Sequence, residues 1–217
     1  GSVDVTNKKP ASFFVPMLLM NTNFLEACRI NELKKTIFTS SIGAYSVNEI
    51  FTESDEFDPN PPMDSFPGWA KRMAEMQIKA YNIQYNINSF SIVRPANVYG
   101  PGDNFDPNNA MVIPSLINKI LSGDNPVNIW GDGKAIRDFI YSKDVAYGIL
   151  LSLLNKNNFS YYNLGSGIGI TIKELVETLN KILDFNYEYD ITKPSGAPKR
   201  IMNINKSEKE LNFMPQT

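Results

Sequence analysis

Short apolar strand patterns alternate with amphipathic helical patterns along the chain, and this alternation restricts its fold more than any other feature. Three segments have the composition of buried strands: KKTIFTSS (34–41), SFSIVRP (89–95) and YYNLG (161–165). Two longer segments are apolar at helical spacing: GWAKRMAEMQIKAYNIQYN (68–86) and YSKDVAYGILLSLLNK (141–156). Strands that alternate with helices predict an α/β protein with a parallel sheet.

Two residue patterns predict local features of the helices. An N-terminal helical segment, residues 12–32, contains Pro16, which predicts an early turn or kink there. Near the other end of the chain, Thr171 precedes Glu174 by three residues at the start of an apolar helical pattern. That spacing predicts a capping box, in which each of the two side chains bonds the backbone of the other residue.

Small, hydroxyl, glycine and asparagine residues follow each of the three predicted strands. The three loops are TSSIGAY (39–45), RPANVYGPGDNF (94–105) and LGSGIG (164–169). The carboxyl ends of parallel strands share one edge of the sheet, where open α/β sheets bind their ligands. Any α/β protein also needs connections of this composition, so the pattern alone leaves a ligand-binding cleft and ordinary loops both open.

The composition excludes several classes of site and partner. The 217 residues include no histidine, which excludes His-based acid–base catalysis, Ser-His-Asp triads and His-ligated zinc, and we expect no metal. The single cysteine, Cys28, excludes an internal disulfide and fits the cytoplasm, where we expect the protein to reside. The net charge of −2 and the absence of a long apolar run predict no nucleic-acid and no membrane partner.

Six motifs occur in an order and at a spacing that resemble the extended short-chain dehydrogenase/reductases of the NAD-dependent epimerase/dehydratase family, which modify nucleotide sugars. They are SSIGAY, GWAKRMAE, RPANVYGPGDNF, NAMVIPSLI, WGDGKAIRDFIYSKDVA and YNLGSG, and they are most similar to members of the GDP-fucose synthase type. The resemblance implies a Rossmann-type parallel sheet with a small C-terminal α/β substrate-binding lobe. It places residues 1–100 in the Rossmann domain and 101–217 mainly in the lobe, with 136–167 returning to the Rossmann domain.

The resemblance also implies roles for individual residues. It assigns catalytic roles to Ser41, as the partner of the reacting sugar oxygen, and to Lys71, as a contact of the nicotinamide ribose. The implied dinucleotide contacts are Ser40, Lys71, Pro95, Ala96, Asn97 and Val98. The implied substrate contacts are Asn97, Asn109, Val112, Arg137 and Arg200. Two of these residues have purely structural alternatives, because Ser41 could cap backbone groups at a strand end and Arg137 could pair with Asp138 or Asp144.

The chain departs from the family pattern at the residues that transfer protons. Pro67 stands where the family has the Tyr that exchanges a proton with the substrate during hydride transfer. Four nearby residues are candidates to replace that Tyr: Tyr45, Tyr99, Asp64 and Ser65. A family Asn corresponds to Met17, and the acid–base Cys and His of the GDP-fucose synthase type correspond to Ile42 and Met111. These replacements argue against a double epimerisation by that mechanism.

The Gly-rich turn that holds the dinucleotide pyrophosphate in the family has no counterpart in this sequence. The segment GSGIG (165–169) matches a different part of the family pattern. The sequence begins where the fourth βα unit of the family starts, so we expect it to be a piece of a longer polypeptide.

Three functions remain open on this basis. The first is an epimerase or reductase that uses NAD or NADP on a nucleoside-diphosphate sugar, with a non-standard proton donor. The second is a catalytically inactive relative that binds a nucleotide sugar or dinucleotide as a regulatory or partner subunit. The third, a purely structural domain, is disfavoured because Ser41, Lys71, Asn97 and Arg137 are retained together. We also expect a homodimer formed through the helices around 11–29 and 69–87.

Overall fold

A computed structural model of the chain describes residues 8–54, 58–156 and 159–217. The helices in this part of the chain are α1 (Pro10–Ile30), α2 (Ser65–Tyr85), α3 (Val112–Leu121), α4 (Ser142–Leu154), α5 (Ile172–Leu183) and α6 (Asn205–Leu211). The strands are β1 (Thr36–Thr39), β2 (Ile50–Phe51), β3 (Phe90–Pro95), β4 (Asn97–Tyr99), β5 (Val127–Trp130), β6 (Ile136–Tyr141), β7 (Ser160–Leu164), β8 (Gly169–Thr171), β9 (Tyr187–Asp190) and β10 (Lys199–Met202). These elements confirm the predicted α/β class.

Strands β1, β3 and β7 form a parallel sheet in the order β1–β3–β7, as the alternation of strands and helices predicts. Thr36 of β1 lies opposite Phe90 of β3, and Ser91 of β3 lies opposite Ser160 of β7. Every residue of β3 and β7 is buried. Strands of a parallel sheet covered on both faces are continuously buried, which explains why these segments lack an alternating polar pattern.

Helices cover both faces of this sheet, because alternate residues of its strands point in opposite directions. On one face, Leu25 of α1 and Ile78 of α2 pack in a core cluster with Ile92 of β3. On the other face, Val145 of α4 packs in a cluster with Val93, the next residue of β3. Full burial of one such aliphatic side chain contributes about 1.5–3 kcal/mol.

The predicted turn at Pro16 is wrong, because α1 continues through this residue to Ile30. The pyrrolidine ring fixes φ near the helical value, removes the N–H that would bond the Ser12 carbonyl four residues earlier, and crowds that carbonyl. Ser12 and Pro16 are both exposed. Water is therefore available to the released carbonyl, and the helix persists.

The remaining described strands form two further sheets, one of five strands and one of two. Strands β2, β10, β6 and β4 are parallel neighbours in that order, with β8 antiparallel to β6, and β5 pairs with β9. Strand β6 thus lies in the second sheet, whereas β7 lies in the first, although the segment 136–167 contains both. The proposed division into a Rossmann domain and a lobe stays a prediction.

Local signals in the sequence define the start of α5. The Thr171 side chain accepts from the Glu174 backbone N–H at 3.0 Å, and the Glu174 carboxylate accepts from the Thr171 N–H at 2.7 Å. These bonds confirm the predicted capping box.

Among the described residues, every helix is too short or too polar to cross a lipid bilayer.

Candidate functional site

The carboxyl ends of β1, β3 and β7 lie side by side and bring the three predicted loops together. The Ser40 backbone N–H donates to the Val93 carbonyl, and the Ala96 N–H donates to the Leu164 carbonyl, each at 2.8 Å. The residues after β1 and β3 therefore share one edge of the sheet, as expected of a ligand-binding edge. Pro95 and Ala96 are buried there, and Val98 is 37% exposed.

The two serines that follow β1 have different surroundings. The Ser41 Oγ accepts from the Gly43 N–H at 3.0 Å and caps the short 3-10 turn Ile42–Ala44. The predicted structural alternative for Ser41 is thus present, but the hydroxyl proton keeps its capacity to donate to another oxygen. The Ser40 hydroxyl is buried and has no hydrogen-bond partner within residues 8–54, 58–156 and 159–217.

Lys71 reaches from α2 to the end of β1. Its Nζ donates to the Thr39 carbonyl at 2.8 Å and lies 5.1 Å from the centre of the Phe38 ring. Burial lowers the pKa of the Lys71 ammonium below its ordinary value, and the nearby Glu75 carboxylate partly offsets this. The side chain is therefore fixed beside the loop that carries Ser40 and Ser41.

Pro67 lies in the first turn of α2, which begins at Ser65, three residues before the predicted helical pattern. The first N–H groups of a helix have no intrahelical partner, so the missing N–H of a proline costs little at this position. Pro67 thus fits the helix well where it stands. Its ring nitrogen carries no proton, and no proton transfer can pass through it.

Of the two tyrosines considered as replacements, Tyr45 points into the protein core. Its hydroxyl donates to the Asn163 Oδ1 at 2.7 Å, and its ring lies under the Arg94 guanidinium at 4.5 Å. Burial raises the pKa of Tyr45 to about 12. Tyr99 packs against Tyr141 with ring centres 5.7 Å apart. The contacts of Tyr45 with Asn163 and Arg94 give Tyr45 a structural role.

Asp64 and Ser65, the other two candidates, occupy the start of α2. Ser65 is exposed, and Asp64 is half-buried. The Asp64 Oδ1 lies 3.3 Å from a guanidinium nitrogen of Arg200. Asp64 is thus the candidate with a described contact to a predicted substrate-binding residue.

All five predicted substrate-binding residues line one cleft of about 950 Å³. They come from β4, the segment after it, α3, β6 and β10: Asn97, Asn109, Val112, Arg137 and Arg200. The predicted dinucleotide set is divided: Asn97 lines this cleft, Val98 follows it on β4, and the remaining members lie around the ends of β1 and β3, namely Ser40, Lys71, Pro95 and Ala96. The Asn97 side chain donates to the Asp138 carbonyl at 2.8 Å and so holds β4 beside β6.

Arg137 and Arg200 are direct register partners on the neighbouring parallel strands β6 and β10. One Arg137 nitrogen donates to the Ile136 and Ala197 carbonyls at 2.7 Å. Burial, and then the positive charge of Arg200, lower the pKa of Arg137. Guanidinium groups can bind polyanions, since their planar forks match phosphate oxygens.

The predicted alternative for Arg137, an ion pair with Asp138 or Asp144, is not formed within the described chain. The Asp138 carboxylate is fully buried and accepts from backbone groups that include the Ser166 N–H at 2.8 Å and the Met202 N–H at 3.1 Å. The Asp144 carboxylate accepts from the backbone at residues 216 and 217. Asp138 thereby ties β6, β10 and the loop after β7 together beneath the two arginines.

Sequence reasoning missed the aromatic end of the cleft. Trp130 lines it and is 53% exposed, with the Lys119 and Lys193 ammonium groups at 5.9 and 5.8 Å from the ring centre. A large exposed aromatic ring in a cleft is a typical contact for a planar group. The signal in the sequence was a Trp at the end of a short strand, directly before the GDG turn.

The positions that depart from the family pattern are not grouped. Ile42 is buried in the core, whereas Met111 is 46% exposed and lines the cleft. Met17 is half-buried on α1. The apolar side chains at these three positions carry no proton-transfer group.

The chain is similar in sequence to several curated nucleotide-sugar enzymes. It is 30% identical to the GDP-L-fucose synthase of Sinorhizobium fredii, over 94% of this chain and 67% of the relative. It is 29% identical to GDP-L-fucose synthase 1 of Arabidopsis thaliana, over 95% and 66% respectively. A dTDP-4-dehydro-6-deoxy-D-allose reductase from Streptomyces is 30% identical, over 90% and 60%. The chain thus spans about two thirds of the length of such relatives.

The chain is also similar to solved structures of nucleotide-sugar enzymes, and it matches the sequence model of one family. The UDP-N-acetylglucosamine 4-epimerase of Methanobrevibacter ruminantium, in complex with UDP-N-acetylmuramic acid, has a TM-score of 0.84 at 27% identity, covering 100% of this chain and 68% of its own. The UDP-glucose 4-epimerase of Thermotoga maritima with UDP-glucose has a TM-score of 0.81 at 28% identity, covering 100% and 70%. Residues 1–165 match the sequence model of one family. The chain therefore belongs to the NAD dependent epimerase/dehydratase family.

Proposed function

We propose that the cleft binds the diphosphate of a nucleoside-diphosphate sugar, and that the chain is part of an NAD(P)-dependent epimerase or reductase acting on that sugar. The observation that carries this proposal is the position of Arg137 beside Arg200 on neighbouring strands that line one cleft. A diphosphate supplies the negative oxygens that two guanidinium groups bind best. The relatives include a GDP-L-fucose synthase and a UDP-glucose 4-epimerase with UDP-glucose, which supports a nucleotide-sugar substrate.

The nucleotide base is proposed to lie at the Trp130 end of the cleft. Trp130 and Lys119 line the cleft together with Asn109 and Val112, the two predicted contacts from the α3 side. An exposed indole ring offers an apolar face to a planar base, and the nearby ammonium of Lys119 adds positive charge. The sugar would then extend from the arginines toward the ends of β1 and β3, where Ser41 and Lys71 lie.

NAD or NADP is the proposed cofactor, because the family is described as NAD dependent. When bound, it supplies hydride transfer at a sugar carbon. Ser40 and Lys71, whose side chains lie around the end of β1, fit the nicotinamide-ribose part of NAD or NADP. The Ser40 hydroxyl is buried without a described partner, and the Lys71 ammonium is fixed beside it at the Thr39 carbonyl. Both can donate to ribose or carboxamide oxygens.

The proposed enzyme needs a proton donor other than the residue at the family Tyr position. Ser41 is the proposed partner of the reacting sugar oxygen: its Oγ accepts from the Gly43 N–H, and its hydroxyl proton remains available to donate. A serine hydroxyl is a poor acid, so a water molecule must return a proton to the Ser41 Oγ as its own proton passes to the sugar oxygen.

The second candidate function is a catalytically inactive relative that binds nucleotide sugar as a regulatory or partner subunit. It is favoured by Pro67, which fits the first turn of α2, and by Tyr45, whose hydroxyl is bonded to Asn163 in the core. Binding would then occur without turnover.

Calorimetric titration of the purified chain with GDP-, UDP- and dTDP-sugars tests the diphosphate site. Arg137→Ala is expected to weaken binding by at least tenfold, because one lost charged hydrogen bond costs about 1.5–3 kcal/mol. Arg29→Ala is the matched control, since it removes the same charge from an ion pair with Glu26 on α1. Equal affinity of Arg137→Ala and the parent would refute the site.

Turnover separates the two candidate functions. As full-length proteins, the parent and Pro67→Tyr are compared for NAD(P)H-linked conversion of the nucleotide sugar that binds. Conversion by the parent supports the enzyme. A silent parent that gains activity in Pro67→Tyr supports the inactive relative, because only the phenol was then missing.

A homodimer through α1 and α2 is the proposed assembly. Apolar residues on α2 form an exposed stripe at helical spacing, namely Phe66, Trp69, Met73, Met76 and Ile83. Leu19, Met20 and Phe24 on α1 are exposed as well. A second copy that presents the same two helices would bury both stripes. Light scattering should give twice the chain mass for the parent and a single chain mass for Met73→Glu.

A further inference from the structure

The Asp64 carboxylate occupies space that exists because residue 43 is glycine. A Cβ atom on residue 43 would overlap the Asp64 carboxylate, and the Asp64 N–H donates to the Gly43 carbonyl at 3.3 Å. Asp64 is also the residue before the first turn of α2, yet its side chain forms no capping hydrogen bond there. The carboxylate is thus positioned by packing and is not needed to start the helix.

The described partner of this carboxylate is Arg200, which lines the cleft. The Asp64 Oδ1 lies 3.3 Å from the Arg200 Nη1, and the two side chains are 36% and 22% exposed. The Arg200 Nε is buried and has no hydrogen-bond partner in the part of the chain that the structure describes. The ion pair therefore engages the Arg200 Nη1, while the Arg200 Nε remains without a described partner.

Asp64 also acts on Arg137. Burial, and then the positive charge of Arg200, lower the pKa of Arg137, and the negative charge of Asp64 acts in the opposite direction. The Asp64 carboxylate thus attracts both Arg137 and Arg200. These two guanidinium groups lie on adjacent strands and repel each other.

We propose that Asp64 is an internal counter-ion of the diphosphate site, which pairs with Arg200 in the empty cleft and is displaced from it by the phosphate oxygens of the bound nucleotide. The inference rests on the proposed function, because it takes Arg137 and Arg200 as the diphosphate contacts. Asp64 competes with the ligand for Arg200 and repels it, so the carboxylate lowers the affinity for nucleoside diphosphates. It sets affinity and is no anchor of the substrate.

The test is calorimetric titration of the full chain with GDP and with UDP. Asp64→Asn keeps the side-chain shape against Gly43 and removes the charge, so we expect about two- to fivefold tighter binding, the range of a partly exposed ion pair. Glu49→Gln is the matched control. It removes one negative charge from an ion pair at 3.7 Å with Lys199, the residue next to Arg200, and its affinity should equal that of the parent.

A second variant reaches the same state without a change of charge. Gly43→Ala places a methyl group where the Asp64 carboxylate lies, so the carboxylate must leave its present position beside Arg200. Binding of GDP and UDP should again be tighter than in the parent. The melting temperature of each variant shows that it is folded.

A double-mutant cycle identifies the route of the effect. In an Arg200→Gln background, the gain from Asp64→Asn should be smaller than in the parent, because the ion pair is already absent and only the repulsion between Asp64 and the phosphates remains. A gain of the same size there would overturn the proposal, and so would equal or weaker binding by Asp64→Asn in the parent background. Arg137→Ala distinguishes failure of the proposed diphosphate site from failure of the proposed role of Asp64. If the affinity of Arg137→Ala equals that of the parent, the diphosphate site itself is wrong.

Discussion

The buried ion pair between Glu75 of α2 and Arg94 of β3 provides a quantitative test of the core beneath the candidate site. The Arg94 Nε and Nη2 donate to the two Glu75 oxygens at 3.0 and 2.6 Å, and the side chains are 9% and 7% exposed. The Arg94 guanidinium also lies 4.5 Å from the Tyr45 ring centre and 4.7 Å from that of Tyr161. The pair thus fixes Tyr45 in its structural position.

Glu75→Ala leaves the Arg94 charge buried without its carboxylate partner. Loss of one member of such a pair costs about 3–5 kcal/mol, since the remaining ion keeps its desolvation penalty. For a chain of this size, 1 kcal/mol corresponds to about 2–4 °C in melting temperature. We therefore expect the melting temperature to fall by about 6–20 °C.

Urea unfolding followed by circular dichroism measures the change in the free energy of unfolding. Glu49→Ala is the control: this carboxylate is 69% exposed and 3.7 Å from Lys199, so its loss should cost about 1 kcal/mol or less. The double variant Glu75→Leu with Arg94→Met should recover most of the loss, because it removes both charges. A Glu75→Ala variant within about 1 kcal/mol of the parent would refute the reasoning.

Two further predictions concern single side chains. Thr171→Ala removes the capping box of α5 and should lower the free energy of unfolding by about 1 kcal/mol, whereas Thr171→Ser keeps the hydroxyl and should lie near the parent; equal losses in both would contradict the capping role. Burial lowers the pKa of Lys71 below its ordinary 10.5. The unfolded chain then binds more protons than the folded one just below that pH, so the free energy of unfolding should rise with pH there. In Lys71→Met, urea titrations across the same pH range should show a smaller rise, and an identical slope would refute the assigned shift.

The sequence by itself determined the class of fold, because its signals are local. A buried strand such as β3 needs a run of apolar and β-branched residues, and the capping box of α5 needs only Thr171 and Glu174 three residues apart. The six ordered motifs also identified the family. The sequence further showed that Pro67 removes the usual proton donor, since the absence of a titratable proton is a property of the residue itself.

Only the tertiary structure decided how the separated segments meet. The cleft is assembled from residues as distant as Asn97 and Arg200, and their proximity depends on the register of β6 against β10. The sequence left Tyr45 and Asp64 as equal candidates for one role. The fold directs Tyr45 into the core against Arg94 and Asp64 toward Arg200. Asp64 and Arg200 are more than a hundred positions apart in the sequence. Strand register and helix packing bring them together, and no local pattern encodes such a pairing.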